Sequence, residues 1–221
     1  MEYIQIAIDG PAGAGKSTIA KLLAAELGYT YIDSGAMYRA ITFKAMNLGI
    51  DLEDERAYDF VKDTKFTFVD GTLYMDNIDV SHEIRQTAVS NNVSLVSSYY
   101  FVRLELVKAQ QNLAQSHNVV MDGRDIGYQV LPHAKYKFYL TASISQRAKR
   151  RYYDNLARNI TSDLSVIEQE IERRDHFDTT REHSPLKAAD DAIIIDTSDL
   201  TIDQVVSLIK DKVREEENHG F

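Results

Sequence analysis

The sequence contains no cysteine. This absence excludes disulfide bonds and metal sites built from thiolates, and it suits a reducing compartment. The first residues, MEYIQIAIDG, lack the charged and apolar regions of a secretory signal, and no apolar run approaches the roughly 20 residues of a membrane span. We therefore expect a cytoplasmic protein that does not associate with a membrane.

Positive charge is also scarce, since 25 Lys and Arg stand against 34 Asp and Glu, for a net charge of −9. Proteins that bind nucleic acids generally gain affinity from Lys and Arg, so this balance argues against a nucleic-acid partner. The 221 residues suffice for one substantial core with an insertion. Nothing in the sequence indicates an obligate protein partner.

Glycine is concentrated in GPAGAGKST, residues 10–18. An apolar run precedes this segment, and Ile19, Leu22, Leu23 and Leu27 follow it at helical spacing, up to a stop at Gly28. The order is therefore strand, loop and helix. In that context the segment matches G-x-x-x-x-G-K-[ST], a loop whose backbone N–H groups surround phosphates. An incidental glycine-rich turn is the weaker interpretation.

The motif predicts a site for a nucleoside triphosphate. We expect Lys16 to reach the β- and γ-phosphates, and the Ser17 hydroxyl to be a ligand of Mg²⁺. The residues assigned to the loop are Gly10, Pro11, Ala12, Gly13, Ala14, Gly15, Lys16, Ser17 and Thr18.

Four further apolar runs have the character of strands, at residues 29–33, 118–122, 136–142 and 191–196. Short apolar strands that alternate with helices indicate a parallel sheet covered on both faces. Ligands of such sheets collect beyond the carboxyl ends of the strands. The sequence thus predicts an α/β core in which the loop lies at that edge.

The alternation is interrupted after the second strand. FTFVDGTLYMDN places Phe66 and Phe68 before Asp70-Gly71, and Leu73 and Met75 after it, which predicts a hairpin. A helix is expected at residues 99–113. We take residues 35–115 as a substrate-side insertion with a small antiparallel sheet, and residues 1–34, 116–143 and 161–221 as the core.

Arginines are clustered between residues 147 and 181, although the protein is acidic. Residues 144–160 follow a strand and are predicted to form an Arg-rich lid with Arg147, Arg150, Arg151 and Arg158. A solvated helix face is the ordinary explanation for such a cluster. Beside a triphosphate loop, however, the cluster favours an anionic ligand.

Arg and Asp also recur at three other places, in DSGAMYR, DGRDIG and RDHFDTTREHSPL. The last contains Arg174, Asp178 and Arg181 at i, i+4 and i+7, which predicts one shared helical face. An exposed salt-bridge ladder is the alternative. Because these clusters follow strands, they favour a second anionic substrate.

The segments IAIDGPAGAGKST, YIDSGAMYRA, VSLVSSYYFVR, DGRDIG, QRAKRR and RRDHFDTTREHSPL, in this order, resemble the bacterial cytidylate kinases. The resemblance covers nearly the whole chain; the first motif is generic and the combination is specific. It implies a P-loop NTPase core, an insertion that binds a nucleoside monophosphate, and a lid. It also implies Mg-dependent transfer of the γ-phosphoryl group of ATP to CMP or dCMP.

The resemblance further implies residue roles. Arg39 and Arg124 would hold the acceptor phosphate, and Arg174 and Asp178 would face the ribose. Arg174, Arg181 and the lid arginines would lie near the transferred phosphate. The implied catalytic residues are Lys16, Arg124, Arg174 and Arg181, and the implied substrate-binding residues are Ser34, Arg39, Ser94, Arg103, Arg124, Asp125, Arg174 and Asp178. Without the resemblance, Ser94 would be assigned to a turn or cap.

Ser94, Arg103 and Asp125 are the residues that the resemblance places at the base. The N4 amino group of cytosine can donate a hydrogen bond to a carboxylate, whereas uracil presents an oxygen there, so Asp125 is a candidate base selector. No general base is expected, because a nucleotide phosphate with a second pKa of about 6 is already a dianion. Adenine is expected near residues 197–200.

Two other functions remain open from the residues. One is a small P-loop kinase with another acceptor, such as UMP or a metabolite. The other is a regulatory NTPase, which is less favoured because the chain has no Asn-Lys-x-Asp pattern for guanine and has more acceptor-side arginines than a switch requires.

Overall fold

The computed structural model describes residues 3–157 and 159–218. The helices are α1 (Lys16–Leu27), α2 (Ser34–Asn47), α3 (Thr87–Val96), α4 (Tyr100–Ala114), α5 (Ile144–Ala157), α6 (Leu164–Thr180) and α7 (Ile202–Asn218). The strands are β1 (Gln5–Asp9), β2 (Thr30–Asp33), β3 (Phe66–Val69), β4 (Thr72–Met75), β5 (Ile78–Asp79), β6 (Val119–Gly123), β7 (Tyr136–Thr141) and β8 (Ile193–Asp196). Within the described ranges, no helix has both the length and the apolar character needed to cross a bilayer.

The central sheet is parallel and has the strand order β2-β6-β1-β7-β8. This confirms the predicted α/β core. Ile6 and Ile8 of the central strand β1 are fully buried against α1 and α7, while Ala7 and the β6 residue Met121 belong to a second cluster. Burial on both faces explains why β1 and β6 are apolar throughout. The predicted cover is incomplete at the edge strand β8, where Ile193 and Ile194 are 39% and 65% exposed.

Helix α1 ends as predicted, because Gly28 adopts a left-handed conformation with φ of 69°. The helix predicted from the spacing of Ile19, Leu22, Leu23 and Leu27 is confirmed. Ile19 and Leu23 are buried, whereas Leu22 is 41% exposed. Leu22 borders a cavity that is also lined by Phe68 of the small sheet.

The small sheet has the order β3-β4-β5 and is antiparallel. Phe66 pairs with Met75, and Asp70 and Gly71 both have positive φ, as a two-residue hairpin turn requires. The predicted hairpin is therefore confirmed. The sequence did not reveal β5, because this strand has only two residues and both are exposed.

The elements between β2 and β6 have an apolar cluster of their own, which includes Met37, Ile41, Tyr58 and Leu106. Helices α5 and α6 pack together farther along the chain around Ala148. A turn of π-helix at Ile126–Val130 follows β6 after two residues, Arg124 and Asp125. These three parts surround the carboxyl ends of the parallel strands, where the polar side chains meet.

Candidate active site

The glycine-rich loop connects β1 to α1 at the carboxyl edge of the sheet. A Cβ atom on Gly10 would lie 2.0 Å from the carbonyl oxygen of Leu140, so a side chain has no room there. Lys16 curls back over the loop, and its Nζ donates a hydrogen bond to the Pro11 carbonyl oxygen at 2.8 Å. Burial lowers the pKa of Lys16, and the nearby Arg124 lowers it further. An anion bound in the loop would restore the charged form of this lysine.

Two hydroxyl groups hold the carboxylate of Asp122. The Ser17 Oγ donates to Oδ2 and the Tyr31 hydroxyl donates to Oδ1, each at 2.8 Å. Burial raises the pKa of Asp122, and Asp33 raises it further. The sequence placed Asp122 in a polar cluster, but only the pairing of β6 with β1 and β2 brings it to Ser17.

A cavity of about 200 Å³ opens beside the loop. It unites side chains that lie far apart in the sequence, because the strand ends, α2, α4 and α6 all converge there. The predicted residues among its lining are Ala12, Gly13, Lys16, Ser17, Ser34, Arg39, Arg103, Arg124, Asp125, Arg174, Asp178 and Arg181. Ser94 does not line this cavity; its neighbours Val93 and Ser97 on the same face do.

Arg103 and Asp125 form an ion pair at the inner end of the cavity, with side chains only 4% and 5% exposed. Arg103 also donates from Nη1 to the Ser97 carbonyl oxygen at 3.0 Å. Its Nε is buried and has no hydrogen-bond partner among the described residues. A buried donor that lacks a partner is a candidate contact for a polar ligand.

Asp178 pairs with three arginines that line the same cavity. Arg124 donates from Nε at 3.0 Å, while Arg174 and Arg181 each lie 4.0 Å away. Burial raises the pKa of Asp178, but the three arginines lower it by more, so the net shift is downward. Arg181 lies one residue beyond the end of α6, so the predicted single helical face is wrong for this residue.

Arg39 lies on α2 and pairs with Asp33 at 2.9 Å. The same carboxylate caps α2 by accepting from the backbone N–H of Ala36. Ser34, the first residue of α2, is buried and donates to the Asp122 carbonyl oxygen at 2.7 Å. A hydrogen bond thus connects the polar segment DSGAMYR to the polar segment DGRDIG.

The arginines of the predicted lid differ in their surroundings. Arg147 is buried, pairs with Asp175 at 2.6 Å, and donates to the Ala12 carbonyl oxygen at 3.0 Å. Arg150 donates to both the hydroxyl and the carbonyl oxygen of Thr197. Arg151 is 42% exposed and lies 3.6 Å from a glutamate of α6. Arg158 lies outside the described residues.

A second cavity, of about 640 Å³, lies on the outer side of the loop. It is lined by the loop residues Gly13, Ala14, Gly15, Lys16, Ser17 and Thr18, by Arg150 and Arg151, and by Thr197 and Leu200 among others. This is the place where the sequence predicted adenine.

Asp9 is a buried acid that sequence reasoning did not select. Its carboxylate accepts from the backbone N–H groups of Ile126 and Gly127, at 2.8 and 2.7 Å. Burial raises its pKa to about 7, although these two hydrogen bonds lower it. The signal in the sequence was an aspartate that ends an apolar strand directly before the loop.

Comparison with known proteins adds a family to this geometry. Residues 6–215 match the Cytidylate kinase family. The chain is 48% identical to a cytidylate kinase of Ligilactobacillus salivarius, covering 99% of this chain and 100% of that protein. It is 51% identical to a cytidylate kinase of Bacillus pumilus, covering 94% and 95%.

A solved structure of a gluconokinase from Sinorhizobium meliloti has a similar fold, with a TM-score of 0.51 and 16% identity. The similarity covers 99% of this chain and 97% of that one. At this identity, the likeness shows the shared kinase fold alone.

Proposed function

The chain belongs to the cytidylate kinase family, and from this membership we propose how its residues divide the work of the reaction. The protein transfers the γ-phosphoryl group of ATP to CMP or dCMP, which gives ADP and CDP or dCDP. The observation that carries the residue roles is the position of the phosphate loop beside a cavity lined by Arg39, Arg103, Arg124, Arg174 and Arg181.

ATP binds with its phosphates in the loop formed by Gly10–Thr18. The loop's backbone N–H groups and the positive end of the α1 dipole favour an anion there. Lys16 contacts the β- and γ-phosphates, which replace its hydrogen bond to Pro11. The outer cavity, lined by Thr197 and Leu200, accommodates the adenine end of ATP.

The residues around Ser17 fit a Mg²⁺ ion. The Ser17 hydroxyl and the Asp122 carboxylate lie within 2.8 Å of each other and supply oxygen atoms, which this ion prefers together with substrate phosphates. Mg²⁺ bound there would neutralise charge on the β- and γ-phosphates during transfer. Tyr31 orients the Asp122 carboxylate toward Ser17 through its own hydrogen bond.

The acceptor nucleotide occupies the inner cavity. Arg39 and Arg124 bind its phosphate, since the planar guanidinium group suits phosphate oxygens. Arg174 and Asp178 face the ribose, and Arg174 and Arg181 stabilise the charge that develops on the transferred group. The buried Nη2 of Arg181 has no partner among the described residues, which supports a ligand contact there.

Asp125 selects the base, together with Arg103. The pair is buried, so a uracil that placed its carbonyl oxygen opposite the carboxylate would leave polar groups unpaired at a high cost. We also assign Ser94 and Ser34 to the binding of the acceptor nucleotide. The proposed contact of Ser94 with the base rests on the family membership alone, because Ser94 does not line the cavity.

The reaction needs no general base, because the acceptor phosphate is itself the nucleophile. Catalysis then depends on alignment, neutralisation of charge and exclusion of water. Residues 35–115 bind the acceptor, and residues 144–160 act as a lid that closes over both substrates. Arg151 is the described lid arginine with its side chain free enough to reach the phosphates.

The small nucleotides are the proposed partners, with no nucleic acid, membrane or obligate protein partner, and the proposed location is the cytoplasm. The net charge of −9 supports the exclusion of nucleic acids.

Measurement of ADP formation from MgATP with CMP, dCMP, UMP, AMP or dTMP, beside a control without acceptor, tests the proposal. We expect turnover with CMP and dCMP and little with the others. An Asp125→Asn enzyme should lose preference for CMP over UMP while its KM for ATP changes little. Equal turnover of CMP and UMP by the wild type would contradict the role of Asp125. ADP release without acceptor would favour the regulatory NTPase.

A further inference from the structure

The proposed mechanism makes no use of Asp9, the residue directly before the phosphate loop. Its side chain is buried, and each carboxylate oxygen accepts one backbone N–H, from Ile126 and from Gly127. We propose that Asp9 is a positioning residue for the phosphoryl acceptor, because its carboxylate fixes the backbone that carries Arg124 and Asp125. The inference rests on the acceptor-side roles proposed for those two residues.

The backbone after β6 needs such an acceptor. Asp125 has φ of −147° and ψ of 22°, which belongs to neither helix nor strand, and the π-helical turn begins at the next residue. The first N–H groups of a helical turn have no acceptor within the turn. Asp9 supplies acceptors for two of them, at 2.8 and 2.7 Å. Their loss would leave two buried donors without partners.

The close approach also depends on the absence of a side chain at Gly127. A Cβ atom there would lie 3.3 Å from Oδ2 of Asp9 and 3.4 Å from both Ala189 and Lys137. Gly127 therefore both donates its N–H to the Asp9 carboxylate and leaves space for that carboxylate by having no side chain. A methyl group at position 127 would fit only if the Asp9 carboxylate or the turn gave way by a few tenths of an ångström.

The contact joins the two substrate sites. Asp9 belongs to β1, which leads into the ATP loop, and it pairs in register with Gly123 of β6. The loop itself is held by other contacts, from Lys16 to the Pro11 carbonyl and from Arg147 to the Ala12 carbonyl. Removal of the Asp9 carboxylate should therefore disturb the acceptor more than ATP.

The test is steady-state kinetics of the full-length Asp9→Asn enzyme at pH 8, where Asp9 is ionised in the wild type. Asparagine keeps the size of the side chain but places an NH₂ group against a backbone N–H. We expect the KM for CMP to rise by about tenfold and the preference for CMP over UMP to fall. The KM for ATP should stay within about twofold. A general loss of stability would lower the apparent kcat and leave both KM values unchanged, so a rise in the KM for CMP alone distinguishes the positioning role.

Asp163→Asn is the matched control. Asp163 also accepts from two backbone N–H groups, those of Ser165 and Val166, but it lies at the start of α6 and outside the cavity. Its kinetic constants should equal those of the wild type. An Asp9→Asn enzyme with an unchanged KM for CMP and unchanged selectivity overturns the proposal, as does an equal rise in both KM values.

Gly127→Ala disturbs the same contact from the other side and decides the question if Asp9→Asn does not fold. The same selective rise in the KM for CMP supports the proposal, and an unchanged KM overturns it.

Asp125→Asn, measured in parallel, separates this inference from the proposed function. If Asp125→Asn loses selectivity and Asp9→Asn keeps both selectivity and its KM for CMP, the positioning role is wrong and the base selector stands. If Asp125→Asn keeps its selectivity, the base selector is wrong, and the positioning role is judged by the KM for CMP alone.

Discussion

Arg147 of α5 donates a hydrogen bond from Nη1 to the carbonyl oxygen of Ala12, at 3.0 Å. The same guanidinium group pairs with Asp175 of α6 at 2.6 Å, so two helices hold the phosphate loop through one side chain. A Cβ atom on Gly13 would lie 3.2 Å from the Arg147 Cβ, so the loop and α5 are closely packed at this point. If residues 144–160 close over the substrates as proposed, the motion must keep these contacts or pivot beyond Arg147.

Replacement of Arg147 should weaken ATP binding. Arg147→Ala removes the donor to Ala12 and leaves Asp175 without its cation, so we expect the KM for ATP to rise by about tenfold or more. The KM for CMP should change less. Arg173→Ala, at an exposed position of α6, is the control and should match the wild type. An unchanged KM for ATP would show that the loop holds its shape without this contact.

Lys16 should be indispensable for phosphoryl transfer. Lys16→Ala removes the cation that we propose contacts the β- and γ-phosphates, and we expect kcat to fall by at least about 100-fold. ADP formation with saturating MgATP and CMP measures the effect. Lys21→Ala changes an exposed lysine of the same helix and should retain activity. Substantial turnover by Lys16→Ala would require another group to neutralise the phosphates.

Gly10 should tolerate no side chain. Its φ is 147° and an added Cβ would collide with the Leu140 carbonyl oxygen, so Gly10→Ala should fold poorly or lose ATP binding. Gly49 has a φ of 66° and no atom within 4 Å of an added Cβ. Gly49→Ala therefore measures the effect of the left-handed backbone conformation without a steric clash, and it should lower the free energy of unfolding by about 1 to 2 kcal/mol. Thermal unfolding and ATP titration of the two variants should differ accordingly.

The charge of Asp9 should make stability depend on pH. Its pKa is raised to about 7 in the folded protein from an ordinary value of 3.8, mainly by burial. Between these values the folded state keeps a proton that the unfolded chain releases, so the free energy of unfolding falls as the pH rises from about 4 to 7. Asp125 raises this pKa further and Lys16 lowers it.

Asp9→Asn removes this dependence. Relative to that variant, the wild type should lose stability on the order of 4 kcal/mol across the window. Urea unfolding of both proteins from pH 4 to pH 8 measures the difference. Two parallel curves would mean that Asp9 keeps an ordinary pKa in the fold.

The local features of this fold were readable from the sequence. The phosphate loop is encoded by neighbouring residues, because glycine conformations and the following helix are local properties of the chain. The hairpin at Asp70 and Gly71 was predictable for the same reason. The short apolar segments predicted the parallel sheet. The family resemblance added the reaction, since it rested on motifs spread over nearly the whole chain.

Only the tertiary structure decided which polar side chains meet. Asp122 reaches Ser17 across 105 residues, and Arg103 reaches Asp125 across 22, through strand pairing and helix packing that no local pattern records. Arg147, which the sequence assigned to a lid, also donates a hydrogen bond to the Ala12 carbonyl oxygen of the phosphate loop, a contact that the sequence did not predict. The direction and burial of a charged side chain depend on the element packed against it, so the sequence determined the chemistry that is present and the fold determined where it acts.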